Sequence, residues 1–319
     1  MWPYLYFKPQ RMAKILMFAD LHIDDFKTFS KGFSRLNNTL KALIHVFVTA
    51  NDHGIVNIGF SGDLFNKQKQ LPTVVINSTV EVFKSLFEMF PSIDFYAISG
   101  NHDLATRSSA SDDYITALTY LSSIFDRFHI LDMKTATTVD GLTIAGIPYL
   151  NSRDEFSDAL DTICQTDGVD ILMVHQTPDE FMDGEVSVDD QRFKRFKKVF
   201  SGHIHEFNEY NQWFIMLGNP LHQNLSDECS DKFICIYDSD TDELAPLPTA
   251  GLFPEFKRGT HRDDGNFWIE DVSQIQNESE LINNFSTSLK ESELLANYCH
   301  EIGTDDFILK LGIKCLPKV

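Results

Sequence analysis

The feature that most limits how this chain can fold is a series of apolar segments that each stop at residues able to bind a metal. Ile15-Leu-Met-Phe-Ala19 runs into Asp20-Leu-His22, residues 55–60 run into Gly62-Asp63, and Phe95-Tyr-Ala-Ile-Ser99 runs into Gly100-Asn-His-Asp103. Ile171-Leu-Met-Val174 stops at His175, and Val199-Phe-Ser201 stops at Gly202-His-Ile-His205. Short, continuously apolar segments read as strands covered on both faces, and hence as parallel strands of an α/β sheet. Ligands of such sheets gather at the C-terminal edge. Strands that all end in carboxylate, amide or imidazole groups predict sheet tips converging on metal.

The intervening segments have helical spacing. Phe33, Leu36, Leu40, Leu43, Ile44 and Phe47 predict an amphipathic helix over 32–51. Further helices are expected over 72–91, opened by Pro72, over 112–125 and over 154–166. Residues 128–148 read as short strands with a hairpin turn at Asp140-Gly141. Segments 206–217 and 233–237 read as antiparallel strands turned at Gly218-Asn-Pro220. Residues 1–13 read as a short extension and 14–254 as one α/β unit. The composition turns polar beyond it, and 255–319 reads as a small α+β accessory domain, with a helix near 278–298 and strands near 267–269 and 307–310.

Composition bounds the function. A chain of 319 residues that is 43% hydrophobic can bury a full core. No apolar run approaches the roughly 20 residues of a membrane span, and the N-terminus has no secretory pattern. The five cysteines form no CxxC pair, which suits free thiols in a reducing cytoplasm. The net charge of -20 argues against nucleic-acid binding by bulk charge, so local basic residues matter more than the sum. Arg192-Phe-Lys-Arg-Phe-Lys-Lys198 is the densest basic stretch. It reads either as a DNA-backbone contact, through Arg192, Lys194 and Arg195, or as a solvated helix end with Phe193 and Phe196 in the core. Lys67, Lys69 and Arg107 follow ligand-bearing loops and could reach phosphates.

The chemistry follows from the donor types. Mixed imidazole and carboxylate ligands suit Mn, Fe, Zn, Co or Ni. Two adjacent ions can share a carboxylate and a hydroxide, and together offset charge at phosphorus. Asn101 could coordinate or hold the phosphate, and a histidine beside the site could protonate the leaving oxygen. This is an arrangement for phosphoester hydrolysis.

As a set, Asp20-Leu-His22, Gly62-Asp63, Gly100-Asn-His-Asp103, His175 and Gly202-His-Ile-His205 resemble the signature of the calcineurin-like metallophosphoesterases, over about residues 14–237. The resemblance implies a four-layer α/β/β/α sandwich with a dinuclear site. Asp20, His22, Asp63 and His205 would hold one ion, and Asp63, Asn101, His175 and His203 the other. His102 would be the general acid, oriented by Asp103. Gly62-Asp-Leu-Phe65 with the GNHD motif looks most like DNA-repair exonucleases of the SbcD type and the related bacteriophage recombination nucleases. That likeness implies an exo- or endonuclease using two ions, Mn2+ foremost, in the cytoplasm of a bacterium or a phage-infected host. It also implies an SMC-like ATPase partner and a homodimer within a heterotetramer, with helices 33–47 and 74–87 as candidate dimer elements. The alternative is a small-molecule or cyclic-nucleotide phosphodiesterase or phosphatase of the same superfamily. Where some members carry a histidine three residues after the shared aspartate, this chain has Asn66.

Overall fold

The computed structural model describes residues 13–26, 33–67, 70–105, 115–181, 184–224, 227, 230–253, 256–258 and 269–271. Two six-stranded sheets lie face to face, with helices on their outer sides, so the expected layered α/β sandwich is the observed fold.

The first sheet is built from β1 (Lys14–Phe18), β2 (Asn57–Phe60), β3 (Asp94–Ala97) and β4 (Phe128–Ile130), which are parallel neighbours. The second contains β5 (Thr135–Thr137), β6 (Thr143–Gly146), β7 (Ile171–His175), β8 (Lys198–Gly202), β9 (Asn208–Glu209) and β10 (Phe214–Met216). Its order is β5-β6-β7-β8-β10-β9, with β6, β7, β8 and β10 parallel. The chain then returns to the first sheet as β11 (Phe233–Asp238) and β12 (Glu243–Pro248), which complete the order β12-β11-β1-β2-β3-β4. A separate antiparallel pair, β13 (Phe256–Arg258) and β14 (Ile269–Asp271), follows.

The outer layers are α1 (Ser34–Asp52), α2 (Thr73–Met89) and α3 (Leu118–Ile124) on the first sheet and α4 (Arg153–Ile163) on the second. Alternation along each strand explains the continuous apolar runs. On β1, Ile15 and Met17 enter the core between the sheets, while Leu16 and Phe18 face the helices. On β7, Ile171 and Met173 face inward, and Leu172 and Val174 meet α4. Both faces are buried, so the run is apolar from Ile15 to Phe18 and from Ile171 to Val174.

Three expectations are corrected. Strands β10 and β11 do not pair with each other: β10 joins β8 in one sheet and β11 joins β1 in the other, so Gly218-Asn-Pro220 begins a crossover between sheets. The helix expected over 112–125 begins only at Leu118, because Thr116 bridges Leu104 and its hydroxyl bonds Ser99 Oγ at 2.8 Å. Pro72 stands at the N-cap with ψ 140°, one position before the helix. The accessory region expected over 255–319 lies outside the described residues, apart from β13 and β14. Among the described residues, no helix is long and apolar enough to cross a membrane.

Candidate metal centre

The parallel strands of both sheets point their C-terminal tips at one place. Past β1, Asp20 N and His22 N donate to Gly62 O and Asp63 O, each at 3.0 Å, which zips the first two ligand loops together. Asp20, His22, Asp63 and His203 all adopt positive φ, between 49° and 88°. For side chains with a Cβ this backbone is strained, and such residues cluster at functional sites. Glycines allow the tips to touch. A Cβ on Gly100 would lie 2.1 Å from Asp63 Oδ1, and one on Gly62 would lie 2.5 Å from His175 Nδ1. The sheets are tied together here: Ser61 Oγ donates to Phe200 O at 3.1 Å, and His203 N donates to Asp20 Oδ2 at 3.0 Å.

The ligand-type side chains form two overlapping clusters. In the first, His22 Nε2 lies 3.0 Å from His205 Nε2, 3.8 Å from Asp20 Oδ1 and 3.7 Å from Asp63 Oδ2. In the second, His175 Nε2 lies 3.3 Å from Asp63 Oδ2, 3.1 Å from Asn101 Oδ1 and 3.3 Å from His203 Nδ1. His203 Nδ1 is also 2.9 Å from Asn101 Oδ1. Asp63 belongs to both clusters. The donors of Asp20, His22 and His205, those of His22, Asp63 and His102, and those of Asp63, His175 and His203 each lie close enough together to hold an ion.

The donor set fits metal on chemical grounds. His175 Nδ1 lies 2.7 Å from the Ser61 carbonyl, which only accepts, so Nδ1 carries the proton and Nε2 points its lone pair at the Asp63 carboxylate. That contact is repulsive unless a proton or a cation occupies it. Burial alone would lower His175, but the Asp63 carboxylate overrides it and holds the imidazole up at about 9. Burial pushes Asp20 up to about 7, against the pull of His175 and His205. Burial also pushes His22 and His203 down to about 3, the neutral form that coordinates. The protons held by His175 and Asp20 are those that bound ions would displace.

Asp103 does not contact the His102 ring as expected. The carboxylate of Asp103 accepts backbone N–H groups of Asp63 (2.8 Å), Leu64 (3.2 Å), Phe65 (3.0 Å) and Gly100 (3.0 Å). It therefore clamps two ligand loops and does not orient His102. Burial and the Asp63 charge push its pKa up, while these donors pull it back. The His102 ring is held instead by the Asn66 carbonyl, 2.6 Å from Nδ1, so Nδ1 is the donor and Nε2 is the nitrogen that can take up or release a proton. The ring is half-buried and packs edge-on to His22, with centroids 4.9 Å apart.

In the basic run Phe193 and Phe196 are buried, as one of its two readings expects, and the run ends at the first residue of β8, at the opposite end of that strand from His203 and His205. Residues 191–195 form a 3-10 turn with Phe193 in the core. Arg192 bonds Asp190 Oδ2 and Asp161 Oδ1, each at 2.7 Å, and Ser157 O at 3.0 Å, so its guanidinium braces α4. Lys194 lies over the Trp213 ring at 5.0 Å, and Arg195 faces Asp167 at 3.5 Å. Lys67 pairs with Asp24 at 2.9 Å. Arg107 and Lys69 lie outside the described residues.

Sequence reasoning gave no role to two neighbours of the site. Asp227 Oδ1 lies 3.5 Å from His205 Nδ1 and 3.1 Å from the buried Lys232 Nζ. Tyr149 rests against His203, with ring centroids 5.4 Å apart. The spacing Asp227…Lys232 ahead of a buried strand was the available signal for the first.

The family model for calcineurin-like phosphoesterases matches residues 13–207. The sequence matches no curated protein. Among solved structures, TT1561 of Thermus thermophilus is similar at 12% identity and a TM-score of 0.46, over 75% of this chain and 99% of that one. A novel archaeal phosphodiesterase is similar at 14% identity and a TM-score of 0.36, over 74% of this chain and 99% of that one.

Proposed function

Because the chain belongs to the calcineurin-like phosphoesterase family, we propose that it is a DNA nuclease, a phosphodiester hydrolase that works with two divalent ions, Mn2+ foremost, beside an SMC-like ATPase. The observation that carries the hydrolase reading is the pair of ligand clusters sharing Asp63. Bound there, two ions supply charge neutralisation at the phosphoryl oxygens and a water acidic enough to act near neutral pH.

The chain's own residues do the rest. Asp63 holds the clusters in register, and its Oδ1 accepts His102 N at 2.8 Å, so the acid's backbone is fixed to the shared ligand. Asn66 O fixes the His102 ring by Nδ1 and leaves Nε2 as the nitrogen that would pass a proton to the leaving oxygen. Asn101, bonded to His203, presents its amide to the phosphate. The DNA assignment rests on the resemblance of Gly62-Asp-Leu-Phe65 and GNHD to the SbcD type. Its assembly as a homodimer with the ATPase belongs to the same proposal.

A second reading, a phosphodiesterase for small diesters, is favoured by the basic run being paired internally and remote from the tips. End-labelled linear DNA and bis-p-nitrophenyl phosphate, each with Mn2+ and with EDTA, separate the two when Asp63→Ala is run beside the wild type. Metal-dependent DNA degradation that the variant lacks supports the nuclease. Turnover of the small diester alone, even with the ATPase added, supports the second reading.

A further inference from the structure

Resting on the two-ion reading of the site, we propose that Asp227 is the positioning residue for the ion held by Asp20, His22, Asp63 and His205. The proposal follows from how His205 is held. It lies three residues beyond the end of β8, in a bend. Its Nδ1 faces Asp227 Oδ1 at 3.5 Å, which makes Nδ1 the N–H end and turns the Nε2 lone pair toward His22, 3.0 Å away. A carboxylate behind a ligating imidazole fixes the tautomer and raises its basicity.

The carboxylate itself is immobilised. Oδ2 accepts Gln223 N at 2.7 Å and Asn224 N at 3.0 Å, and it lies 3.5 Å from Asn219 Nδ2. Oδ1 accepts Lys232 Nζ at 3.1 Å, and the same ammonium donates to His205 O at 2.9 Å. One buried lysine thus fixes both the backbone of the ligand and the acid behind its ring. Asp227 is 2% exposed and Lys232 3%. A buried pair of this kind is costly unless every charge is partnered, and here it is. The same loop also grips the first strand tip, since Gln223 Nε2 donates to Leu21 O at 2.8 Å, between Asp20 and His22. At the other ion position, the residue behind His175 is the neutral Ser61 carbonyl. His205 and His175 therefore differ in what stands behind them, a carboxylate at one and a neutral carbonyl at the other.

The test is an Mn2+ titration of the full chain by calorimetry, followed by EPR of the loaded protein. Wild type is expected to bind two ions and to show the spectrum of an exchange-coupled pair. Asp227→Asn is expected to weaken one binding step by about 10- to 100-fold and leave the other unchanged. At an Mn2+ level that saturates wild type, its coupled spectrum gives way to that of isolated ions. Lys232→Met keeps the carboxylate and its contacts to Gln223 N and Asn224 N, and is expected to weaken the same step less than Asp227→Asn does. Unchanged binding in folded Asp227→Asn overturns the proposal. Equal weakening in both variants overturns it as well, because a merely structural loop would behave that way. Should Asp227→Asn not fold, NMR of the wild-type zinc form decides: the His205 proton on Nδ1 supports the proposal and a proton on Nε2 overturns it. Fewer than two ions in wild type would instead remove the two-ion reading itself.

Discussion

Strand β8 carries charge at both ends, and the two ends handle it in opposite ways. At its start, cations meet partners within the fold: Arg192 with Asp190 and Asp161, Arg195 with Asp167, Lys197 with Asp170, and Lys198 with Asp242. At its far end, about 13 Å away over the strand's four residue steps, imidazole nitrogens and carboxylate oxygens face one another. The first arrangement closes its charge internally and serves as scaffold. The second leaves its charge to be closed by something added, which marks a site. Density of charge in the sequence does not separate the two; the partners do.

The largest expected effect is at the shared carboxylate. Asp63→Ala is expected to lose ion binding at both positions and to lower turnover by about ten thousandfold or more, since each ion contributes several kcal/mol at the transition state. Metal analysis of the purified variant checks it, and retention of two ions would break the contrast. Next comes His102→Ala, with a loss of about a hundred- to a thousandfold in kcat and both ions retained, read by kinetics beside metal analysis.

Asp132 is a third kind of charge, a buried carboxylate whose described donors are neutral. It accepts Ser99 N at 2.8 Å and Ser99 Oγ at 2.6 Å, and burial pushes it up to about 6. The folded protein therefore holds this proton more tightly than the unfolded chain. Its stabilising effect is complete below the ordinary value of 3.8 and is lost as pH rises through about 6. Asp132→Asn is expected to flatten that decline in urea-unfolding midpoints and to gain up to about 3 kcal/mol at neutral pH. The smallest effect is at the basic run. Arg192→Ala is expected to leave DNA cleavage unchanged and to cost at most about 1 kcal/mol of stability, because its ion pairs are partly exposed. A large loss of DNA affinity there, with stability intact, would reverse the comparison.

The site was legible to the extent that it is local. Asp20, Asp63, Asn101, His175, His203 and His205 each follow directly on a buried strand, so strand pattern and ligand chemistry coincide in a few residues. What the pattern could not carry is pairing over distance. Nothing local in Phe214–Met216 or Phe233–Asp238 says that one strand lies in each sheet. Asp103 reads as a neighbour of His102, yet its carboxylate turns to the backbone of Asp63, Leu64 and Phe65, which are close only after the tips converge. Asp227 lies in a polar loop whose meaning depends on His205 and Lys232. The aromatics of the basic run were ambiguous for the same reason. Phe193 and Phe196 are buried, and the cations between them turn outward to carboxylates and to Trp213.

The most direct test of the central claim is anomalous diffraction from crystals grown with Mn2+. Two anomalous peaks are predicted, one among Asp20, His22, Asp63 and His205, the other among Asp63, Asn101, His175 and His203, with the Asp63 carboxylate between them. A single peak, or peaks away from Asp63, would contradict the two-ion site on which the proposed hydrolysis depends.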